Sequence, residues 1–330
     1  MACSKPTGDM WQPKLKRNFN MKMNKKHNGW AVFVLSILLM ACGNTGTAPA
    51  VVSDDTPTSG RIRISIDESF KPVIDSQIKV FQSSFPNAEI IAEYKPEAEC
   101  LKDLESDSTR MVIVTRGLSE DESTQFEQKL GFKPAWGILA YDAVAIVTNK
   151  KAKDSTFTMG DIKNMLAGNS SYKYKVVMDG LSATSTVRFA MDSLLRGKPL
   201  GKNVVAAKTS PEVIEYVAND PNAIGMIGVS WIGNSDDRDQ LSFLSKVNVA
   251  SLACETCDED AYVKPYQGNI ALGRYPLIRS LNYIVKENYQ GLGKGFVNFL
   301  IYERGQLIFK RAYLLPGRMQ FNVRNMNIKQ

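Results

Sequence analysis

Histidine is almost missing from this chain; it occurs once, at His27. Everything after it is histidine-free, which excludes Ser-His-Asp and Cys-His catalysis and any His-ligated metal from the folded part. Cysteine is scarce, with five in 330 residues. The first long apolar run, residues 30–41, is too short for a comfortable membrane span. An excess of charge is also missing where it would matter. The formal net charge is +7, but residues 1–42 hold seven Lys/Arg and one Asp. Removing them from totals of 41 and 34 leaves 34 basic residues against 33 acidic ones. A nearly neutral chain offers no general argument for nucleic-acid binding. Carboxylate and lysine chemistry stay open, yet no catalytic partners are laid out. The expectation is therefore a non-enzyme with no cofactor and no metal.

What is present begins with Lys25, Lys26 and His27, a charged segment ahead of the apolar run, as in a signal peptide. The run ends at Leu39-Met40-Ala41-Cys42-Gly43, which resembles the bacterial lipoprotein cleavage box. That resemblance implies a lipid on Cys42 and an exported chain anchored to the cell envelope, on its periplasmic or outer-membrane face. The alternative is an ordinary signal peptide that contains a Cys. Met21 and Met23 are candidate starts, because a complete signal follows them. Residues 1–41 are read as leader. Residues 42–59, small, polar and Pro-bearing, are read as a flexible tether.

From Arg61 to Ile66 apolar and polar residues alternate, which predicts a strand. Ser69 and Phe70 lie in the turn that follows, and Pro72 suits the first turn of a helix running to about Phe85. Val73, Ile74, Ile78, Val80 and Phe81 are assigned to its buried face. Further strands are predicted at 89–94 and 111–114, with a short helix at about 101–106 between them. The second of these strands ends at Thr115-Arg116-Gly117. In open α/β sheets, ligands bind beyond the carboxyl ends of the strands, where Ser69, Thr115 and Arg116 all fall. Residues 138–149 form an apolar run long enough to cross between two lobes, and 281–285 form a second candidate crossover.

The stretch 176–196 carries the strongest local signal. Val176, Val177 and Met178 feed an Asp179-Gly180 turn, followed by the hydroxyls of Ser182, Thr184, Ser185 and Thr186. Apolar residues then recur at helical spacing from Val187 to Leu195. Hydroxyls at a helix start satisfy its free N–H groups, and the same donors and partial positive charge suit an oxyanion. A simple helix cap is the bland reading of the same residues.

Taken in order, these segments resemble the phosphate-binding proteins of ABC importers, within the two-lobed substrate-binding class. Ser69-Phe70 is similar to that family's first phosphate loop. Tyr141 through Asn149 is similar to its first crossover strand. Asp179-Gly180-Leu181-Ser182-Ala183-Thr184-Ser185 resembles its Asp-Gly-Ser-Gly-Thr-Ser turn, with Leu181 inserted and Ala183 in place of Gly. Ala223-Ile224-Gly225-Met226-Ile227-Gly228, Tyr275-Pro276-Leu277-Ile278-Arg279 and Phe299-Leu300 with Glu303-Arg304-Gly305-Gln306 match later segments. The resemblance spans about residues 60–317. It implies an α/β, type II periplasmic-binding-protein fold with two crossover strands as hinge. Residues 60–142 with 275–330 would form one lobe and 143–274 the other. It further implies capture of phosphate or a related oxyanion, an inner-membrane ABC permease as partner, and Ser69, Phe70, Thr115, Ser182, Thr184, Ser185 and Thr186 as ligand contacts.

Three departures alter that picture. The family often carries an Arg just before the Asp-Gly turn, where this chain has Val176 and Val177. Its third loop usually carries Ser-Asp, where this chain has Thr115-Arg116, and its second loop is replaced by Pro96-Glu97-Ala98-Glu99. Arg116 is therefore expected to supply the missing cation, the alternative being an ion pair with Glu97 or Glu99. Arg188 is read as solvent-facing, and Arg279 is given no ligand role. With Cys3 in the leader and Cys42 lipidated, a Cys254–Cys257 disulfide with Cys100 free is expected, the alternative being Cys100 paired to one of them. The rival function is a degenerate binding-protein fold serving adhesion or assembly without a small ligand.

Overall fold

The computed structural model describes residues 55–318, apart from 170–172, 181–183 and 259. Cys42, the leader and Ser182 lie outside the described residues. The strands are β1 (Gly60–Asp67), β2 (Ala88–Lys95), β3 (Thr109–Val114), β4 (Ala135–Asn149), β5 (Thr156–Phe157), β6 (Lys175–Met178) and β7 (Val204–Ala206). They continue as β8 (Ala223–Gly228), β9 (Val247–Val249), β10 (Ser251–Ala253), β11 (Tyr262–Val263), β12 (Ile278–Val285) and β13 (Leu315–Pro316).

The main sheet runs β2-β1-β3-β12-β4-β8-β6-β7, with β9 and β13 also on β4, while β5, β10 and β11 form a small second sheet. β1, β2 and β3 are mutually parallel, as are β6, β7 and β8. β4 joins the two sets. Its residues 135–143 pair antiparallel with β12, and from Val144 onward it pairs with β8 and β9. This is the two-lobed periplasmic-binding-protein fold. The chain returns to the first half through residues 275–278, where Val144 N–H donates to Leu277 C=O at 2.9 Å and Tyr275 Oη donates to Val144 C=O at 2.9 Å.

Local chemistry explains the elements. In β1, Ile62, Ile64 and Ile66 are buried while Arg61 and Arg63 are exposed, as the alternation requires. Helix Lys71–Ser84 buries Val73, Ile74, Gln77, Ile78 and Phe81, with Pro72 in its first turn. Val80 is exposed at 38 %, against expectation. The inward stripe passes through Gln77 instead, whose Nε2 donates to Gly305 C=O at 2.8 Å. Phe81 packs against Phe85, Phe296 and Phe299, with ring centres 5.0–5.4 Å apart. The short helix spans Glu97–Leu104, four residues earlier than expected at its start. Pro96 precedes it, and Glu97 and Glu99 in its first turn complement the positive helix end. Residues 55–59, read as the end of the tether, belong to the fold. Asp55 Oδ2 accepts from Arg110 Nη2 at 2.6 Å and from Leu292 N–H at 2.8 Å.

Removing the Tyr275 hydroxyl leaves the Val144 carbonyl without that donor at the point where the chain changes halves. Tyr275→Phe is expected to lower the unfolding free energy by about 1 kcal/mol. A urea titration should show an earlier midpoint with an unchanged slope.

Candidate anion-binding site

The carboxyl ends of β1, β6 and β8 converge on Arg279, at the start of β12. Arg279 is 5 % exposed and is the one buried basic residue among those described. Its Nε donates to buried Asp142 Oδ2 at 2.9 Å. Its Nη1 donates to Ser185 Oγ at 2.9 Å and to Thr186 Oγ1 at 3.4 Å. The guanidinium lies over the Phe70 ring, 5.0 Å from its centre. Nη2 makes no hydrogen bond among the described residues. Gly228 makes room for it, since a Cβ there would come within 3.0 Å of Nη2.

Three buried carboxylates surround this cation: Asp67, Asp142 and Asp179. Burial works against the Arg279 charge, but Asp142 and Asp67 outweigh it and raise its pKa. Burial raises the Asp67 pKa to about 6, opposed by Arg279. Asp142 and Asp179 are also raised, by burial first, with Arg279 again opposing. The Asp67 carboxyl lies beside the Ser185 hydroxyl, and besides Arg279 the N–H groups of Ala143 and Val229 face Asp142. Neither Asp67 Oδ2 nor Asp142 Oδ1 makes a hydrogen bond of normal geometry among the described residues.

The hydroxyls come from both halves of the sheet. Ser69 Oγ lies 3.4 Å from both Asp179 Oδ2 and Ser185 Oγ. The Ser69 backbone is held by its N–H to Asp67 Oδ1 at 2.8 Å and by Ser230 Oγ donating to its carbonyl at 2.7 Å. Thr184 is taken up locally: its hydroxyl caps helix Ser185–Phe189 through Val187 N–H at 3.2 Å and donates to Asp179 at 3.1 Å. Thr186 donates to Asp179 at 3.3 Å. The helix passes directly into a π-helical turn, Ala190–Leu194, an irregularity often found beside functional residues.

The second and third loops contact each other rather than this cluster. Glu97 Oε1 accepts from Thr115 N–H at 2.7 Å and from Thr115 Oγ1 at 2.5 Å, and Arg188 Nε donates to Glu97 Oε2 at 2.5 Å. Arg188 is therefore paired rather than solvent-facing. Burial would raise the Glu97 pKa, but Arg188 and Thr115 prevail and hold it below the usual range. Arg116 does not join Arg279. Its Nη1 and Nη2 both donate to the Glu122 carboxylate at 2.7 Å, so neither Glu97 nor Glu99 is its partner. Glu122 is fixed there by its capping box with Ser119, which draws Arg116 onto the outer helix Glu120–Leu130. Cys254 and Cys257 form a disulfide, and Cys100 is buried and free.

Residues 51–304 match the PBP superfamily domain. The chain belongs to that superfamily. Among curated relatives, it is 20% identical to the phosphate-binding protein PstS of Pseudomonas aeruginosa, over 87% of this chain and 95% of that protein. It is 22% identical to PstS of Bacillus subtilis, over 85% and 89% respectively. Among solved structures, a phosphate-bound substrate-binding protein from Clostridium perfringens, described as a phosphate ABC transporter component, superposes with a TM-score of 0.62 at 20% identity. It covers 78% of this chain and 99% of its own. A phosphate transport receptor from Vibrio cholerae gives 0.58 at 17%, over 78% of this chain and 100% of its own. These similarities establish the two-lobed fold and the family.

Of the residues that the sequence proposes as ligand contacts, Ser69, Phe70, Ser185 and Thr186 gather around Arg279, whereas Asp67, Asp142 and Gly228 are not among those proposed and Arg279 is given no ligand role there. The signal for Arg279 was its place after Tyr275-Pro276-Leu277-Ile278, read only as a return segment. Asp67 supplies a test. It holds its proton more tightly in the folded chain, so its stabilisation is full below pH 3.8 and is lost as pH rises through about 6. Asp67→Asn keeps the acceptor for Ser69 N–H and removes the titration. Its stability relative to the parent should rise between pH 4 and 7, by up to about 3 kcal/mol. Denaturant midpoints across that range check this, and a pH-independent difference would contradict it.

Proposed function

We propose that this chain is the substrate-binding subunit of an ABC importer and captures phosphate, or a closely related oxyanion, between its two lobes. The observation that carries the reading is the Arg279 guanidinium, buried between the lobes with Nη2 unpaired and the hydroxyls of Ser69, Ser185 and Thr186 around it. Arg279 would supply the charge that the family usually draws from ahead of the Asp-Gly turn. Ser69 and Phe70 N–H would contact the ligand from one lobe, and Ser182, Ser185 and Thr186 from the other. Thr115, Thr184 and Arg116 drop out, because their polar atoms are held by Glu97, Asp179 and Glu122. The lobe boundary, read from sequence at 142/143, is better drawn at 143/144, where β4 exchanges β12 for β8, and the second lobe ends near residue 274.

The surrounding carboxylates favour a ligand that carries a proton. Hydrogen phosphate and hydrogen arsenate can donate O–H to an acceptor such as Asp67 Oδ2. Sulfate has no proton at neutral pH and would meet only repulsion there. Cys42 would carry the lipid that holds the receptor at the envelope, which the Leu39-Met40-Ala41-Cys42 segment supports. Recognition alone is required of the site, with no bond made or broken.

Isothermal titration of the anion-stripped protein lacking its leader tests this. One-to-one binding of phosphate and arsenate is expected, with no heat from sulfate or molybdate. Ser185→Ala should weaken phosphate binding about tenfold, the effect of losing about one hydrogen bond. Arg279→Gln should abolish it, and Arg116→Ala should leave it within threefold of the parent. No heat from any anion would point instead to a ligand-free role at the cell surface.

A further inference from the structure

Beside the Arg279 cluster, a second charged contact joins the two halves of the molecule without touching it. Glu97 is 1 % exposed and opens the helix after β2. Thr115, at the end of β3, holds Glu97 Oε1 through both its N–H (2.7 Å) and its hydroxyl (2.5 Å). Both residues belong to the first half of the sheet. Arg188 belongs to the second half and lies one helical turn beyond Ser185. It reaches across with Nε to Glu97 Oε2 at 2.5 Å and Nη2 to Thr115 Oγ1 at 2.6 Å. On its own helix, Asp192 Oδ2 lies 3.9 Å from Nη1 and orients the arm.

We infer that Arg188 is the closure residue of this receptor, a positioning residue that fastens one lobe to the other and sets how long the cleft stays shut. The asymmetry of the contact carries this. Glu97 is anchored within its own half by two Thr115 donors and stays charged despite its burial. Arg188 is 35 % exposed at its side chain and has water to return to when the halves part. Opening therefore breaks the three Arg188 bonds and leaves Glu97 held by Thr115. The Nε–Oε2 bond joins two ionised groups, the charge-assisted class of hydrogen bond, and Nη2 adds bonds to Thr115 Oγ1 and, at 3.5 Å, to Glu97 Oε1. Among the described residues, two other charged contacts outside the Arg279 cluster join the halves: Arg311 with Asp236 at 3.0–3.1 Å, whose side chains are 66 % and 62 % exposed so that the pair contributes little, and Glu68 with Ser210, longer at 3.3–3.4 Å and involving a carboxyl raised to about 7 by burial, then Asp179. In the two loops where relatives direct groups at the ligand, this chain has built a contact between its own lobes. Residence of the ligand is then governed partly by protein–protein contact.

The first readout rests on the phosphate reading; the second does not. In stopped-flow measurements, Arg188→Ala should release phosphate at least tenfold faster and bind it no more slowly. Arg188→Lys keeps the charge opposite Glu97 but loses the fork, and should fall between. Arg188 is partly exposed and Glu97 keeps its two Thr115 donors, so both variants should fold, with melting temperatures near the parent's. A merely structural role would lower the melting temperature and leave the release rate alone. Release within twofold of the parent overturns the inference. If the parent binds no phosphate, the functional reading fails separately. Closure is then read by small-angle scattering of the protein with no anion added. A larger radius of gyration for Arg188→Ala supports the inference, and an unchanged radius overturns it.

Discussion

A buried guanidinium is the constraint on which this structure turns. An isolated charge removed from water is far too unfavourable to persist, so Arg279 exists in its position only with partners. Asp142 provides the direct pair, and Asp67 and Asp179 provide the surrounding field. Those partners come from β4, the end of β1 and the turn after β6. The single cation thus requires the two halves of the sheet to meet with their strand ends facing one another. Phe70 beneath it and the missing side chain of Gly228 beside it complete the niche. With three carboxylates around one guanidinium, the cluster suits a guest that brings protons as well as negative charge.

The family plan is altered in a consistent direction. The buried cation lies on the return segment, and ahead of the Asp-Gly turn this chain has Val176 and Val177. The second and third loops have changed occupation together. Glu97 and Thr115 face each other and Arg188, while Arg116 has turned outward to Glu122. On the proposed reading, charge for the ligand and contact between the lobes would be handled by different residues. In such an arrangement, affinity and residence can be adjusted separately.

β4 makes this possible mechanically. It is one 15-residue strand that belongs to both halves, and Tyr275 and Leu277 are hydrogen-bonded to Val144 at its point of change. The return segment that carries Arg279 is consequently tied to the hinge itself.

Much was legible in the chain alone, and for a local reason. Hydrophobic periodicity, the Pro72 helix start and the Asp179-Gly180 turn depend on residues within a few positions of one another. Their order was enough to indicate the two-lobed α/β fold and to place Ser69, Phe70, Ser185 and Thr186 at strand ends. The register of the helix at Val80 and the fixed ends at Asp55 and Glu97 were misjudged, because packing partners far along the chain decide them. The choice of cation was of the same kind. Arg116, Arg188 and Arg279 are indistinguishable as residues. Arg279 and Asp142 lie 137 positions apart, and Arg188 and Glu97 lie 91 apart. Sequence determined the two-lobed α/β fold and a hydroxyl-bearing turn after β6, since turn and strand chemistry is local. Only the tertiary structure decided which arginine is buried to face it, because burial is a property of the neighbours that folding assembles.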